Sequence, residues 1–303
     1  MNDRERRRRR KRNQRFKVFT LSLFCIFAII CFFSLIFLVK IKYKDSAIAA
    51  KKDFTENMKI QDLGTESESG NDIIQTEETL SEVLNVEKEY ERILSLSPGV
   101  CAFQGALPGE TAGRLFYEGD ITQELPRIQG ISYQENPHVA LTDLAYLRML
   151  YYGLDGNTYV GEMIVNQKIK EDVLHIFREL YENRYPIERM VLVDEYAGED
   201  EASMEANNTS AFNYRTIAGS DKLSNHSYGM AVDLNPKYNP YVKQVNGSSI
   251  CQPESSGAYA DRTKEFDYKI DEYDLAYQLF TQAGFTWGGS WNSVKDYQHF
   301  EKE

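Results

Sequence analysis

The sequence predicts an α+β domain, in which helices pack on a small antiparallel sheet, preceded by one transmembrane helix. Three observations lead to this fold class. An uncharged apolar run lies near the N-terminus, segments with helical apolar spacing follow, and short segments typical of strands lie in the second half. Hydrophobic residues make up 42% of the chain, which is enough for a buried core.

The N-terminal segment is strongly basic and leads directly into the apolar run. Residues 1–17 carry ten Lys/Arg against two acidic residues, a net charge of +8. Residues 18–39 include no charge and no proline, and as a helix these 22 residues would span the hydrocarbon layer of about 30 Å. By the positive-inside rule the basic tail stays in the cytoplasm. The sequence therefore predicts a single-pass protein of the cell membrane, with its C-terminal domain extracytoplasmic.

A cleaved signal peptide is the alternative interpretation of this run, because residues 47–49 (AIA) resemble a cleavage box. The run is longer than the stretch of about 7–15 residues usual in a signal peptide. In addition, Lys40, Lys42 and Lys44 separate it from the box. Both features favour an uncleaved anchor.

The charge of the chain bears on its partners. The formal net charge is −11, so the residues after position 17 together carry −19. Nucleic-acid binding requires a basic surface, and an acidic domain argues against such a partner. The basic tail could serve as a nucleic-acid arm, but its place beside a membrane span favours contact with anionic lipid headgroups.

The rest of the chain divides into three parts. Residues 40–78 are polar, acidic and weakly periodic, which predicts a stalk. Residues 79–114 are expected to form a helix and a linker, because apolar residues recur with helical spacing from Thr79 to Leu96 and Ser97-Pro98-Gly99 ends the pattern. Residues 115–303 are densely apolar and form the predicted folded domain.

Local patterns within residues 115–303 predict six elements. In the strand predicted at Gly229–Leu234, strict alternation places Asp233 on one face, with Val232 and Leu234 on the other. In the helix predicted at Asp271–Ala283, Asp271 is the expected N-cap and Gly284 is the expected stop signal. The predicted elements are helices at Leu141–Tyr152, Asp172–Tyr181 and Asp271–Ala283, and strands at Met190–Asp194, Gly229–Leu234 and Tyr297–Phe300.

The four cysteines form no CxxC or other metal-binding spacing. Cys25 and Cys31 lie within the apolar run and are interpreted as apolar filler. Cys101 and Cys251 are the pair expected outside the membrane, where a disulfide can persist. Either a bridge between them or two free thiols is compatible with the sequence.

Two of the four histidines have an aspartate at short spacing within segments rich in glycine and aromatic residues. His226 lies seven residues before Asp233, and His299 lies three residues after Asp296. A catalytic zinc site uses three His or carboxylate ligands, leaves a fourth position to water, and needs a further carboxylate as a base. These four residues supply that set, although the spacing alone is more typical of structural polar residues.

The local sequence around the two pairs is far more specific. Residues 224–233 (SNHSYGMAVD) match the pattern SxHxxGxAxD, and residues 296–300 (DYQHF) match DxxHF after the Trp-Gly-rich block of residues 287–291 (WGGSW). With residues 212–215 (FNYR), these motifs resemble the VanY-type zinc D-alanyl-D-alanine carboxypeptidase family, including its L-alanoyl-D-glutamate endopeptidase branch. The resemblance extends over roughly residues 140–303.

The resemblance implies a role for each matching position. His226, Asp233 and His299 would be the metal ligands of a zinc site at the sheet. Asp296 stands where the family has its general base, and Arg215 where it has the arginine that stabilises the oxyanion. Ser224 and Tyr214 are candidate substrate-binding residues, and Ser224 could equally orient the turn that carries His226.

The implied reaction is hydrolysis of peptidoglycan stem peptides, but the bond that is cut stays open. The Trp-Gly-rich block favours the endopeptidase branch, whereas Ser290, Gln298 and residues 207–211 depart from familiar family sequences. Two other classes of function remain as alternatives. The domain could be a catalytically inactive zinc-containing module that binds the cell wall, or a structural membrane protein in which the motifs are fortuitous.

Overall fold

The computed structural model describes residues 84–217, 219–245 and 247–303. The predicted cytoplasmic tail, the apolar run of residues 18–39 and the stalk lie outside the described residues. Within the described part of the chain, no helix is both long and apolar enough to cross a membrane.

The described chain alternates short helices with antiparallel strands. Helix α1 covers residues 84–94 and ends before the predicted Ser-Pro-Gly stop. Ile93 from α1 and Ala102 from β1 lie in the same core as the later strands. The further α-helices are α2 (Gly109–Gly113), α3 (Ile121–Ile128), α4 (Lys170–Glu182), α5 (Asp200–Glu205) and α6 (Leu275–Gln282). The strands are β1 (Cys101–Phe103), β2 (Tyr117–Gly119), β3 (Leu144–Tyr152), β4 (Thr158–Asn166), β5 (Ala231–Asp233), β6 (Tyr241–Val245), β7 (Ser248–Gln252), β8 (Thr286–Trp287), β9 (Lys295–Asp296) and β10 (His299–Glu301).

The predicted helix at Leu141–Tyr152 is wrong, because this segment forms one strand of a long hairpin. After a short 3₁₀-helix at Leu141–Asp143, β3 pairs antiparallel with β4 from Leu144 opposite Asn166 to Tyr152 opposite Thr158. Most β3 side chains are buried on both faces of the sheet. A strand that is covered on both sides loses its alternation, so its apolar spacing imitates that of a buried helix.

The helix predicted at Asp172–Tyr181 is confirmed as α4, and its apolar face packs on β3 and on α6. Phe177 of α4 meets Phe280 of α6 edge-to-face, with ring centroids 6.3 Å apart. The helix predicted from Asp271 begins later than expected. The Asp271 side chain accepts from the backbone N–H of Tyr273 in a turn, and Asp274 is the residue that caps α6.

The strand predicted at Met190–Asp194 is also wrong, although residues 190–193 are buried as expected. Asn208 takes the place of a neighbouring strand, because its side-chain amide bonds both the N–H and the C=O of Val191. The segment then enters a 3₁₀-helix at Val193–Tyr196. The prediction failed because a side chain can satisfy backbone groups that otherwise require a strand partner.

The α+β class and the antiparallel pairing are confirmed, but three small sheets replace the single one expected. Their strand orders are β1-β4-β3-β2, β5-β10-β8 and β7-β6-β9. The expectation of helices first and strands later is wrong, since the longest hairpin precedes α4. Cys101 and Cys251 are both free thiols.

Candidate metal centre

The antiparallel pairing of β5 with β10 builds one side of the candidate site. The register places His299 directly opposite Asp233. Alternation along β5 buries Val232 in the core and turns Asp233 to the other face, as its sequence pattern predicts. Ligand atoms of His226, Asp233 and His299 all lie within 4.8 Å of one another. Two distant segments of the chain therefore meet in a group that could hold a metal ion.

His226 reaches this group from a 3₁₀-helix at Asn225–Tyr228. Ser224 is the N-cap, and its hydroxyl accepts from the backbone N–H of His226 at 3.3 Å. Gly229 ends the turn at φ +66°. Its carbonyl accepts from the N–H of Asn166 at 2.8 Å, which fastens the turn to the end of β4. A Cβ at Gly229 would lie 2.7 Å from the Asn166 nitrogen, so the motif requires glycine for both conformation and space.

Hydrogen bonds on the outer ring nitrogens orient both imidazoles. His226 Nδ1 lies 2.5 Å from the Ala211 carbonyl, so it donates there and leaves Nε2 as an acceptor. His299 Nε2 lies 3.1 Å from Glu301 Oε2, which leaves Nδ1 facing inward. The inner nitrogens are 3.2 Å apart, and each is within 3.2 Å of an Asp233 oxygen. Two imidazole nitrogens and one carboxylate oxygen converge, and this donor set suits Zn²⁺.

The three groups stabilise one another electrostatically. Burial alone would raise the pKa of Asp233, but His226 and His299 hold that pKa below its ordinary value. Burial alone would lower the pKa of His299, yet its hydrogen bonds with Asp233 and Glu301 raise that pKa to about 10. The two histidines thus favour the charged form of the Asp233 carboxylate, and zinc binding requires both inward-facing imidazole nitrogens to be unprotonated.

Asp296 lies on β9, three residues before His299. Burial raises the pKa of this carboxyl to about 6. Its Oδ1 atom is buried and has no hydrogen-bond partner among the described residues. Gly288 packs closely against this segment, because a Cβ there would lie 2.7 Å from the Asp296 carbonyl oxygen and 3.3 Å from the His299 Cβ. The Trp-Gly-rich block is therefore the close packing partner of the segment that carries Asp296 and His299.

Arg215 is joined to the His226 turn through its backbone. Its N–H donates to Ser227 Oγ at 2.9 Å, and its carbonyl accepts from the N–H of Ser224 at 3.1 Å. Its guanidinium forms an ion pair with Asp200, the first residue of α5. Asn213 holds the other oxygen of the Asp200 carboxylate, with its amide donating at 2.8 Å.

Tyr214 lies next to Arg215, and its ring stacks on His138 with centroids 6.5 Å apart. His138 also forms a T-shaped contact with Tyr228 of the motif, with centroids 6.4 Å apart. Ser224 has the orienting position described above, since its hydroxyl caps the turn.

The structure thus brings the three predicted ligands together and places Asp296 on the adjoining segment. Sequence reasoning missed three residues of the site. Asp200 forms an ion pair with Arg215, and Glu301 bonds to His299. Asn225 bonds to Glu301 and so connects the two segments that carry the histidines. Glu301 has a signal in the sequence, because a residue two positions after a ligand on a strand faces the same side. Asp200 has none, since only the folded chain brings it to Arg215.

Comparison with known proteins confirms the resemblance that the motifs indicate. The family model described as D-alanyl-D-alanine carboxypeptidase matches residues 218–302, which hold both motifs and all three candidate ligands. Tyr214 and Arg215 lie just before the matched residues. No curated protein and no solved structure matches the chain. The matched family consists of zinc enzymes, in agreement with the donor set of the centre.

Proposed function

We propose that this chain is a zinc metallopeptidase that hydrolyses the stem peptides of peptidoglycan. The convergence of His226, Asp233 and His299 carries the proposal, because their ligand atoms lie within 4.8 Å and their outer ring nitrogens are already bonded. The match of residues 218–302 to a carboxypeptidase family supports the same class of reaction.

The three ligands would hold zinc, which supplies Lewis acidity to activate water and polarise the scissile carbonyl. Asp296 takes the proton from the attacking water and returns it to the leaving amine. Its buried Oδ1, which has no hydrogen-bond partner among the described residues, suits this role because it is free to accept that proton. Ser224 keeps the His226 turn in position through its cap.

Arg215 is the proposed donor to the oxyanion that develops on the scissile carbonyl. A guanidinium keeps its charge throughout and presents several N–H groups in a fixed plane. The ion pair with Asp200 would hold this group in place between turnovers. Tyr214, whose ring stacks on His138, is proposed to contact the substrate.

The membrane topology belongs to the same proposal. Residues 18–39 would anchor the chain, residues 1–17 would remain cytoplasmic, and residues 40–78 would extend the domain of residues 115–303 toward the wall. Protease added outside intact cells should digest the domain but spare an epitope placed in the basic tail. Protection of the domain under these conditions would contradict the topology.

Hydrolysis is tested with the purified full-length protein, one defined pentapeptide stem and mass analysis of the products. Release of terminal D-Ala indicates the carboxypeptidase, whereas cleavage between L-Ala and D-Glu indicates the endopeptidase. Asp296→Asn should keep one zinc per chain and lose at least 100-fold in rate, as expected for loss of a general base. The matched control is Asp267→Asn, an exposed aspartate, which should retain full activity.

Two results would contradict the proposal. Less than one zinc per chain after gentle purification excludes the metal centre. Full zinc content without hydrolysis of any stem peptide favours the inactive wall-binding module instead.

A further inference from the structure

We infer that Glu301 is a positioning residue that fixes the ligand nitrogen of His299 and, through Asn225, locks the two ligand-bearing segments together. The inference rests on the proposed metal site but concerns a residue outside the ligand set.

Strand geometry explains why Glu301 can reach His299. On β10, His299 lies opposite Asp233 and Glu301 lies opposite Ala231, so both side chains leave the same face. Ala231, the residue opposite Glu301, is fully buried and carries only a methyl side chain. The Glu301 carboxylate turns back along the strand, and its Oε2 lies 3.1 Å from His299 Nε2.

This contact selects which nitrogen of His299 can bind a metal. A neutral imidazole has one N–H and one lone pair, and the partner of the N–H decides where the lone pair lies. With Nε2–H donating to Glu301, the lone pair is on Nδ1, 3.0 Å from Asp233 and 3.2 Å from His226. The opposite tautomer would turn an N–H into the centre of the ligand group.

The same carboxylate oxygen also receives a bond from the other half of the site. Asn225 Nδ2 donates to Glu301 Oε2. Asn225 is the residue before His226, and its carbonyl accepts from the N–H of Met230 at 3.1 Å. One oxygen therefore joins the turn that carries His226 to the strand that carries His299, across 76 residues of sequence.

A shared acceptor of this kind preorganises the metal centre. Carboxylates that bond the outer nitrogen of a ligand histidine fix its tautomer and orientation, and their loss typically weakens metal binding about 10–100-fold. The Glu301 side chain is only 22% exposed, so water competes weakly for these bonds. Without this oxygen, the two imidazoles would have to be ordered when the metal binds.

The test measures zinc affinity, with competing chelators, in full-length protein and four variants. We expect Glu301→Ala to weaken zinc binding about 10–100-fold. Glu301→Gln keeps an oxygen that can accept both bonds, so it should recover most of that loss. Asn225→Ala keeps the His299 contact and should lose about tenfold, the lower end for one hydrogen bond to a charged group. Glu303→Ala, which removes an exposed carboxylate two residues away, should change nothing.

A second measurement separates positioning from general stability. In zinc-loaded protein with ¹⁵N-labelled histidine, NMR should show His299 protonated at Nε2 in the wild type and in Glu301→Gln. Glu301→Ala should show a mixture of tautomers or a change of ligating nitrogen. If Glu301→Ala does not fold, the Asn225→Ala affinity and the Glu301→Gln spectrum decide the question.

Different results overturn different claims. Wild-type protein that binds no zinc overturns the proposed function together with this inference. Tight wild-type binding with an unchanged affinity in Glu301→Ala overturns the inference alone. A Glu301→Gln variant as weak as Glu301→Ala, or an Asn225→Ala variant equal to wild type, likewise contradicts the shared-acceptor arrangement.

Discussion

Replacement of Gly229 by alanine tests how the His226 turn is held against the rest of the domain. Gly229 has φ +66°, a left-handed conformation that costs an L-residue about 1–2 kcal/mol. The added Cβ would also lie 2.7 Å from the Asn166 nitrogen and 3.0 Å from the Val165 carbonyl carbon. Both are backbone atoms of β4 in the central hairpin, so neither can yield by a change of rotamer.

The magnitude follows from these two costs. Displacing packed backbone atoms to admit a methyl group costs about 1–3 kcal/mol. It would also stretch the 2.8 Å bond from the Asn166 N–H to the Gly229 carbonyl. The steric cost adds to the conformational cost, so Gly229→Ala should lower the free energy of unfolding by about 2–5 kcal/mol.

Gly105 provides a matched control for this experiment. It also has a positive φ of +83°, but a Cβ there would meet no described atom within 4 Å. Gly105→Ala should therefore show the conformational cost alone, about 1–2 kcal/mol. Urea unfolding of both variants, with metal removed, gives the contact cost as the difference between them. Equal losses of stability in the two variants would refute the close-packing argument.

Three further perturbations have calculable outcomes. Zinc at about 100 times its dissociation constant should stabilise the folded protein by about 2.7 kcal/mol. Relative to a sample with chelator, this should raise Tm by about 5–10 °C. An unchanged melting curve would exclude selective binding of zinc to the folded state. Burial raises the pKa of Asp274 to about 6, so the stabilisation from its protonation is complete below about pH 4 and is lost as the pH rises through 6. The stability of the wild type relative to Asp274→Asn should therefore fall between pH 4 and pH 7, and a constant difference would contradict that pKa. Arg127→Ala leaves the fully buried Glu162 carboxylate without its guanidinium partner. The free energy of unfolding, measured in urea, should fall by about 3 kcal/mol. The double variant Arg127→Met/Glu162→Leu should lose less stability, because it buries no unpaired charge.

Local sequence was sufficient where local chemistry decides the structure. The α4 helix follows from its apolar spacing, and the face of Asp233 follows from the alternation in β5. The Ser224 cap can likewise be read from its neighbours, because the bond that defines it spans two positions. The strand predicted at Gly229–Leu234 is confirmed only for Ala231–Asp233, since Gly229 ends the preceding turn.

Predictions failed where a distant partner determined the outcome. β3 was expected to be a helix because both of its faces are covered, and the pattern alone does not reveal what covers them. The backbone of Val191 is satisfied by Asn208, a contact that no periodicity announces. The N-cap of α6 is Asp274 and not the predicted Asp271, because both aspartates have capping chemistry and the sequence does not show which one precedes the helix.

The sequence by itself determined which chemical groups the candidate centre contains: two motifs supply its imidazoles, carboxylates and glycines. Only the tertiary structure decided which nitrogen of each imidazole faces inward and that Glu301 and Asn225 tie the two motifs together. The physical reason is that residue identity and short-range spacing are local properties of a chain. The orientation of a side chain depends instead on hydrogen-bond partners that folding brings from distant positions.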